Sequence, residues 1–81
     1  MNTIWDEEAH KELDKLEFLT ARRIVKKVKE LGEDPFKGDV LRLKGSTDFR
    51  LRVGDYRIIF SVEGDALTIL KIGHRKNIYD R

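Results

Sequence analysis

The sequence predicts an α+β domain in which an N-terminal helical hairpin packs on one face of a small, mostly antiparallel sheet of three to four strands. Two observations predict this class. Apolar residues recur at helical spacing as far as Leu31, and beyond Pro35 their period changes to two. At 81 residues one hydrophobic core is only marginally sufficient for stability and there is no room for a second domain, so residues 1–81 are expected to form a single domain.

The first helix is expected to begin after Asp6, which is a suitable N-cap residue. Acidic residues follow directly, where they complement the helix dipole. Its apolar face is formed by Ala9, Leu13 and Leu16. Before this helix, residues 2–5, NTIW, are a candidate edge strand.

A second helix is expected to end before Pro35, which cannot continue it. Thr20 is the predicted N-cap, with Leu19 and Ile24 as a hydrophobic staple. Gly32 suits the left-handed position that follows a helix end. The apolar stripe of this helix comprises Ala21, Ile24, Val25, Val28 and Leu31. Because few residues separate the two helices, they are expected to form an antiparallel hairpin.

The strands are predicted from the alternation of apolar and polar residues. Residues 49–53 and 56–62 form a β-hairpin around a two-residue Gly-Asp turn. After a second turn, which is rich in acidic residues and glycine, LTILKIGHR at residues 67–75 is the third strand. The segment VLRLKG from Val40 is either a short strand or an extended connector, and both interpretations are open.

Composition excludes several classes of site. The chain has no cysteine for a disulfide framework or a thiolate zinc site, and its two histidines are too few for a zinc site. No cofactor or metal is therefore expected. No apolar run approaches the roughly 20 residues that span a bilayer. The N-terminus lacks the layout of a secretory signal, so a cytoplasmic location without membrane contact is expected.

Three arginines share one face of the predicted hairpin. Because the turn has two residues, Arg52 lies opposite Arg57, and Arg50 is two residues along the same face. Like charges in a directly opposed pair destabilise a sheet by roughly 0.2–1 kcal/mol. Such a face needs nearby carboxylates or a bound anion to neutralise it.

Either nearby carboxylates or a bound anion could neutralise this face. Asp48, Asp55 and Glu63 are the nearby carboxylates, but they lie at strand ends and turns, so a bound anion is favoured. Residues 1–40 carry 8 basic and 10 acidic side chains and residues 41–81 carry 9 and 5, which gives net charges of −2 and +4. Guanidinium groups form bidentate contacts to phosphate. The expected ligand is a phosphodiester or a carboxylate-rich peptide.

The segment GHRKNIYDR places titratable and stacking side chains together after the third strand. His74 is predicted as a general base or acid, because imidazole exchanges protons near neutral pH whereas guanidinium stays protonated. Its alternative is an ordinary surface or core histidine. Tyr79 either stacks on a nucleobase or packs on the sheet edge. Lys44 and Lys76 are expected to extend the basic surface that binds phosphate.

The helical hairpin followed by FRLRVGDYRIIF, an acidic turn, a hydrophobic strand and GHRKNIYDR resembles the RelE branch of the RelE/ParE toxin superfamily. These are the toxin halves of prokaryotic toxin–antitoxin pairs. The resemblance covers nearly the whole chain and implies that the concave sheet face, away from the helices, holds the site. It also implies an endonuclease that enters the ribosomal A site and cuts the translated mRNA without a metal. The implied partners are the ribosome, mRNA and an acidic antitoxin.

The resemblance assigns roles residue by residue. Arg57 matches the arginine of the GDYR element, which in the family contacts the scissile phosphate, and Arg50 matches a basic residue on the preceding strand. Arg75 matches the arginine of the (K/H)R element, and Tyr79 matches the C-terminal tyrosine proposed to stack on a nucleobase. Arg52 falls at another basic position of the same face.

Two departures from the ribonuclease branch bear on these roles. That branch carries a pair of lysines before GDYR, one proposed as the general base, whereas this chain reads DFRLR with Asp48 near that position. The spacing from Arg75 to Tyr79 is also shorter. Two alternatives to the endonuclease are therefore kept. One is a ParE-type protein of the same fold that inhibits DNA gyrase, and the other is a non-catalytic RNA-binding module.

Overall fold

The computed structural model describes residues 1–78, which form five strands and two helices. In chain order these are β1 (Asn2–Trp5), α1 (Glu7–Asp14), α2 (Phe18–Glu33), β2 (Val40–Arg42), β3 (Phe49–Val53), β4 (Tyr56–Glu63) and β5 (Ala66–His74). The strands form one sheet in the order β1-β5-β4-β3-β2. Only the β1–β5 pair is parallel within this described sheet. The predicted α+β class and the mostly antiparallel sheet are confirmed.

The sheet has more strands than predicted because both short segments left open in the sequence pair with the central strands. NTIW forms β1, which runs parallel to β5 with Thr3 beside Leu67. VLR forms β2, which runs antiparallel to β3 with Leu41 beside Arg50. Both are edge strands of four and three residues. Such short strands expose few unpaired backbone groups at the sheet edges.

Helix α1 begins where the sequence predicts. Asp6 is its N-cap, with extended backbone angles of φ −61° and ψ 150°, but its side chain makes no capping hydrogen bond. Instead, the Asp6 backbone N–H donates to the Ile69 carbonyl at 2.9 Å. This bond ties the start of α1 to β5, and Ala9 on the inner face of the helix is fully buried.

Helix α2 begins earlier than predicted, so the assignment of Thr20 as its N-cap is wrong. The N-cap is Glu17, whose carboxylate accepts a 3.1 Å hydrogen bond from the Thr20 backbone N–H. Hydrogen bonds from the backbones of Leu19 and Thr20 lower the pKa of the Glu17 carboxyl. The longer glutamate side chain thus does what the threonine hydroxyl was expected to do. Leu19 is 65% exposed and forms no staple with Ile24.

The end of α2 also differs from the prediction. Gly32 lies inside the helix, which continues to Glu33 and is capped by Asp34. The backbone of Gly32 is not left-handed. A Cβ at this position would lie 3.3 Å from the Thr3 hydroxyl oxygen. The glycine therefore serves the close approach of α2 to β1 and does not terminate the helix.

The hydrophobic core lies between the two helices and one face of the sheet. Ile24, Val28 and Leu31 of α2 project into it, as the helical spacing predicts. From the sheet, the core receives Leu51, Val53, Ile58, Phe60, Leu67, Ile69 and Ile72. Because side chains alternate along a strand, the residues between these positions face away from the helices. We call that second surface the open face of the sheet.

Candidate functional site

The β3–β4 hairpin brings the three predicted arginines onto the open face. The register pairs Arg52 with Arg57 and Arg50 with Ile59, as expected for a two-residue turn. Gly54 begins that turn with φ of 60°, a left-handed value that glycine adopts without strain. The predicted opposition of two guanidiniums across neighbouring strands is therefore confirmed.

A carboxylate that the sequence analysis missed neutralises part of this charge. Asp39 Oδ1 lies 3.4 Å from Arg50 Nη1, and Asp39 Oδ2 accepts a hydrogen bond from Arg52 Nε. The Asp39 carbonyl also accepts from the Arg52 backbone N–H at 3.0 Å. The Arg50 side chain is held with only 13% of its surface exposed. The pairing of β2 with β3 brings Asp39 to the arginines. The two-residue turn between β3 and β4, on which the sequence-based prediction rested, gives no information about that pairing.

Arg57 is fixed by backbone groups. Its Nη1 donates to the carbonyl oxygens of Gly54 at 2.9 Å and Tyr56 at 3.0 Å. Within residues 1–78 it has no carboxylate in salt-bridge range. We call Arg50, Arg52 and Arg57 the arginine row. With three guanidiniums and one carboxylate, that of Asp39, the row keeps a net charge of about +2 within the described residues. None of Asp48, Asp55 and Glu63, the carboxylates weighed against a bound anion, forms a salt bridge to these three arginines within residues 1–78.

A bulge in β5 decides which way its last residues face. The β4–β5 pairing passes from Ile59 opposite Lys71 to Phe60 opposite Ile69, so Leu70 is an extra residue. One extra residue shifts the alternation of side chains by one position. Each side chain after the bulge therefore lies on the opposite face of the sheet from the face that strict alternation predicts.

The bulge separates His74 from the arginine row. Gly73 lies opposite Arg57, whereas His74 lies opposite Tyr56, which packs on the core. The His74 and Tyr56 rings contact edge to face, with centroids 5.5 Å apart. The Nδ1 atom of His74 accepts a 3.1 Å hydrogen bond from the Lys76 backbone N–H. The described structure thus places the imidazole on the helix side of the sheet, across from the guanidiniums.

The segment after β5 returns to the turn that precedes Arg57. The Arg75 backbone N–H donates to the Asp55 carbonyl at 2.8 Å, and Arg75 Nε lies 3.7 Å from Asp55 Oδ1. Arg75 and Lys76 are both exposed, so they add positive charge at this end of the sheet. Tyr79 lies outside the described residues.

A groove lies on the open face beside the arginine row and encloses about 420 Å³. We define the groove by Lys44, Asp48, Ile59, Leu70, Lys71 and Ile78. Ile78 is 4% exposed and packs over Gly73, where a Cβ would lie 2.7 Å from Ile78 Cδ1. Of the predicted residues, Lys44 alone contributes to the groove lining described here. It is separated from Arg75 and Lys76, which lie at the other end of the sheet.

Two classes of feature are absent from residues 1–78. No group of three or more His, Cys, Asp or Glu side chains in this range is placed to hold a metal ion. No helix in the same range is both long and apolar enough to cross a membrane.

Comparisons with known proteins agree with this architecture along nearly the whole chain. Residues 3–79 match the family described as the ParE toxin of the type II toxin–antitoxin system parDE. Over 45 residues, 54% of this chain, the sequence is 44% identical to Toxin RelE3 of Methanocaldococcus jannaschii. That match spans about half, 51%, of the length of the relative.

Two solved structures share the fold. A chain of the RelB–RelE antitoxin–toxin complex from Methanococcus jannaschii is 30% identical, with a TM-score of 0.79 and 95% of both chains covered. In the archaeal RelE–RelB complex from Pyrococcus horikoshii OT3, the identity is 30% and the TM-score 0.81, covering 94% of this chain and 96% of the other. With the match over residues 3–79, these likenesses show that the chain belongs to the RelE/ParE family of type II toxin–antitoxin toxins.

Proposed function

We propose that this protein is a ribosome-dependent endonuclease that cuts mRNA in the ribosomal A site and so inhibits translation. The observation that carries the proposal is the arginine row of Arg50, Arg52 and Arg57, which retains net positive charge on an open sheet face. A row of guanidiniums that keeps positive charge on a sheet face suits the backbone of a single-stranded nucleic acid.

The proposed chemistry is attack of an RNA 2′-OH on its own 3′-phosphate, which forms the O2′–P bond of a 2′,3′-cyclic phosphate and breaks the P–O5′ bond. A base takes the 2′ proton, and the leaving 5′ oxygen receives a proton from an acid. This reaction develops negative charge on the phosphate oxygens, and a positioned donor at such a charge is typically worth about 3–4 kcal/mol. Arg57 is the best placed donor, because its guanidinium is anchored by two carbonyls and has no carboxylate in salt-bridge range within residues 1–78. DNA lacks the 2′-OH and is expected to resist cleavage.

Proton transfer needs a group other than a guanidinium, which stays protonated. His74 stays a predicted acid or base, but the described geometry gives it no support, because its ring packs against Tyr56 on the helix side, away from the guanidiniums. Cleavage by a His74→Ala variant with an unchanged rate and pH profile would remove His74 from the mechanism. Arg75 and Tyr79 are proposed to contact the RNA beside the arginine row, and Lys44 and Lys76 to contact its phosphates.

The proposed partners are mRNA on the ribosome and an acidic antitoxin, acting in the cytoplasm. Support for the antitoxin comes from the two archaeal relatives, whose structures are complexes of RelE with RelB. An acidic protein would also complement the arginine row, of whose charge Asp39 neutralises only a part among the residues that the structure describes.

Inhibition of DNA gyrase by protein contact is a second candidate. Two observations favour it: the matching family is described as a ParE toxin, and Asp48 stands near the position of a lysine in the ribonuclease branch. A third candidate is an RNA-binding module that grips phosphate without cutting. This last protein would be nontoxic when expressed alone.

The rates of protein synthesis and DNA replication in cells that express the chain distinguish these candidates. Under the endonuclease proposal, protein synthesis stops first, and Arg57→Ala abolishes the effect. The matched control is Arg22→Ala, which removes an exposed arginine of α2 and should leave toxicity intact. Replication failing first would support gyrase inhibition, and growth without any defect would support the non-catalytic module.

A further inference from the structure

The groove beside the arginine row has the shape and lining of a small-ligand site. Ile59, Leu70 and Ile78 supply apolar surface, and about 420 Å³ falls within the usual range of ligand pockets. The β5 bulge builds it, because Leu70 is the extra residue there. A flat aromatic ring can pack on branched aliphatic side chains without a specific hydrogen bond.

A carboxylate gives the groove chemical selectivity. Asp48 precedes β3 and lines the groove, and its half-buried side chain has no salt bridge and no hydrogen bond to another group within residues 1–78. Its backbone is fixed on both sides: Leu43 N–H donates to the Asp48 carbonyl at 2.9 Å, and Asp48 N–H donates to Ser46 Oγ at 2.9 Å. The backbone that carries the carboxylate is therefore held in place, and no group within residues 1–78 occupies the carboxylate oxygens.

The distance between the groove and the arginine row is about the distance between the phosphate and the base of one nucleotide. Asp48 and Arg50 are two residues apart, which is about 6–7 Å along a strand. Arg50 also pairs with Ile59, which lines the groove. A phosphate on the arginine row thus places its own base at the groove, with Lys44 and Lys71 at the rim to attract the polyanion.

We propose that the groove binds one unstacked guanine base, with Asp48 as the residue that selects it. Among the four RNA bases, guanine presents two adjacent N–H donors on its Watson–Crick edge, which match the two oxygens of a carboxylate. Adenine, cytosine and uracil each offer a single donor group on that edge. This inference rests on the proposed RNA-binding function and adds to it the identity of a base that the site reads.

Titration of the ¹⁵N-labelled chain with each of the four nucleoside 5′-monophosphates tests the inference, with inorganic phosphate as the reference for the arginine row alone. Amide shifts at Asp48, Ile59, Leu70 and Lys71 are expected with GMP and not with phosphate. A bidentate pair discriminates between bases by about 5- to 150-fold. We expect GMP to bind at least about 5-fold more tightly than UMP.

Asp48→Asn is the decisive variant, because the amide keeps the size of the side chain and replaces one acceptor by a donor. It should remove the preference for GMP, while Asp65→Asn in the exposed β4–β5 turn should keep it. The spectra also report whether each variant is folded.

Equal binding of all four nucleotides, no shift at the groove, or an unchanged preference in Asp48→Asn would overturn the inference. The assay contains no ribosome and measures no cleavage, so it separates this inference from the endonuclease. A protein that cuts mRNA without a GMP preference would contradict the groove assignment alone. One that prefers GMP without cutting would contradict only the endonuclease.

Discussion

Arg52 lies directly opposite Arg57 across the β3–β4 hairpin, so two positive charges occupy one cross-strand pair. The repulsion between these charges opposes folding. Asp39, which directly precedes β2, offsets part of this repulsion by accepting a hydrogen bond from Arg52. Arg57 makes its bonds to carbonyl oxygens instead, which do not cancel its charge. Within residues 1–78, the hairpin face therefore keeps positive charge after the repulsion between its arginines is partly offset.

Asp39→Asn should weaken the fold and strengthen the binding of RNA. Loss of the charge that bridges Arg50 and Arg52 is expected to reduce the free energy of unfolding by about 1–2 kcal/mol. The two released guanidiniums become available to phosphate, so affinity for a single-stranded oligonucleotide should rise. The slope of log K against log salt should steepen by up to about 0.7. Urea unfolding and fluorescence anisotropy at several salt concentrations measure these effects. An unchanged salt slope would show that Asp39 does not compete with RNA.

Gly73→Ala should displace Ile78 from the sheet. The new Cβ would lie 2.7 Å from Ile78 Cδ1, and overpacking of this kind typically costs about 1–3 kcal/mol. Amide hydrogen exchange in residues 75–78 should accelerate. The double variant Gly73→Ala with Ile78→Ala should recover part of the loss, since the clash is removed. If the two changes were additive, Ile78 would not be the cause.

Gly54→Ala should destabilise the β3–β4 turn because alanine is strained at φ of 60°. We expect a loss of about 1–2 kcal/mol in the free energy of unfolding. A Cβ here would also lie 3.0 Å from Arg23 Nη1, which is the end of a flexible side chain. Removing that side chain with Arg23→Ala should not rescue Gly54→Ala. A full rescue in urea unfolding would mean that the contact, and not the backbone, causes the loss.

The N-cap of α2 should make part of the stability depend on pH. Because hydrogen bonds lower the pKa of Glu17 from its ordinary value of 4.5, its contribution is present above that value. It is lost as the pH falls through the lowered pKa of the folded state. Thermal melting of the unmodified chain and Glu17→Ala, near neutral pH and in acid, checks this. The difference in Tm should shrink in acid, and a constant difference would argue against a charged cap.

Local sequence signals predicted the hairpin and the arginine pair, because a two-residue turn fixes which residues lie opposite each other. The partner of those arginines could not be found in this way. Asp39 reaches Arg50 and Arg52 through the pairing of β2 with β3, and that register depends on tertiary structure. The candidate strand VLRLKG from Val40 offered the signal, since the acidic residue Asp39 precedes it directly.

The face of the sheet on which His74 lies could not be predicted by alternation, because β5 contains one extra residue. Uninterrupted alternation from Leu67 and Ile69 would put His74 on the open face, but the extra residue Leu70 turns it to the other side. The sequence does carry a trace of this bulge, because the apolar residues Ile69 and Ile72 are three positions apart, whereas strict alternation requires an even spacing. Alternation fixes the face of a side chain only as far as the next bulge.

Primer extension on programmed ribosomes tests the central claim most directly. Purified protein is added to ribosomes with a defined A-site codon, and the Arg57→Ala and Arg57→Lys variants are assayed in parallel. Lysine keeps the positive charge but loses the planar guanidinium that makes bidentate contacts to phosphate. We predict a cut within the A-site codon that requires the ribosome and falls by about 10²–10³-fold in Arg57→Ala, with partial activity in Arg57→Lys. No cut by the unmodified protein, or an equal cut by Arg57→Ala, would contradict the assignment of the arginine row as the active site.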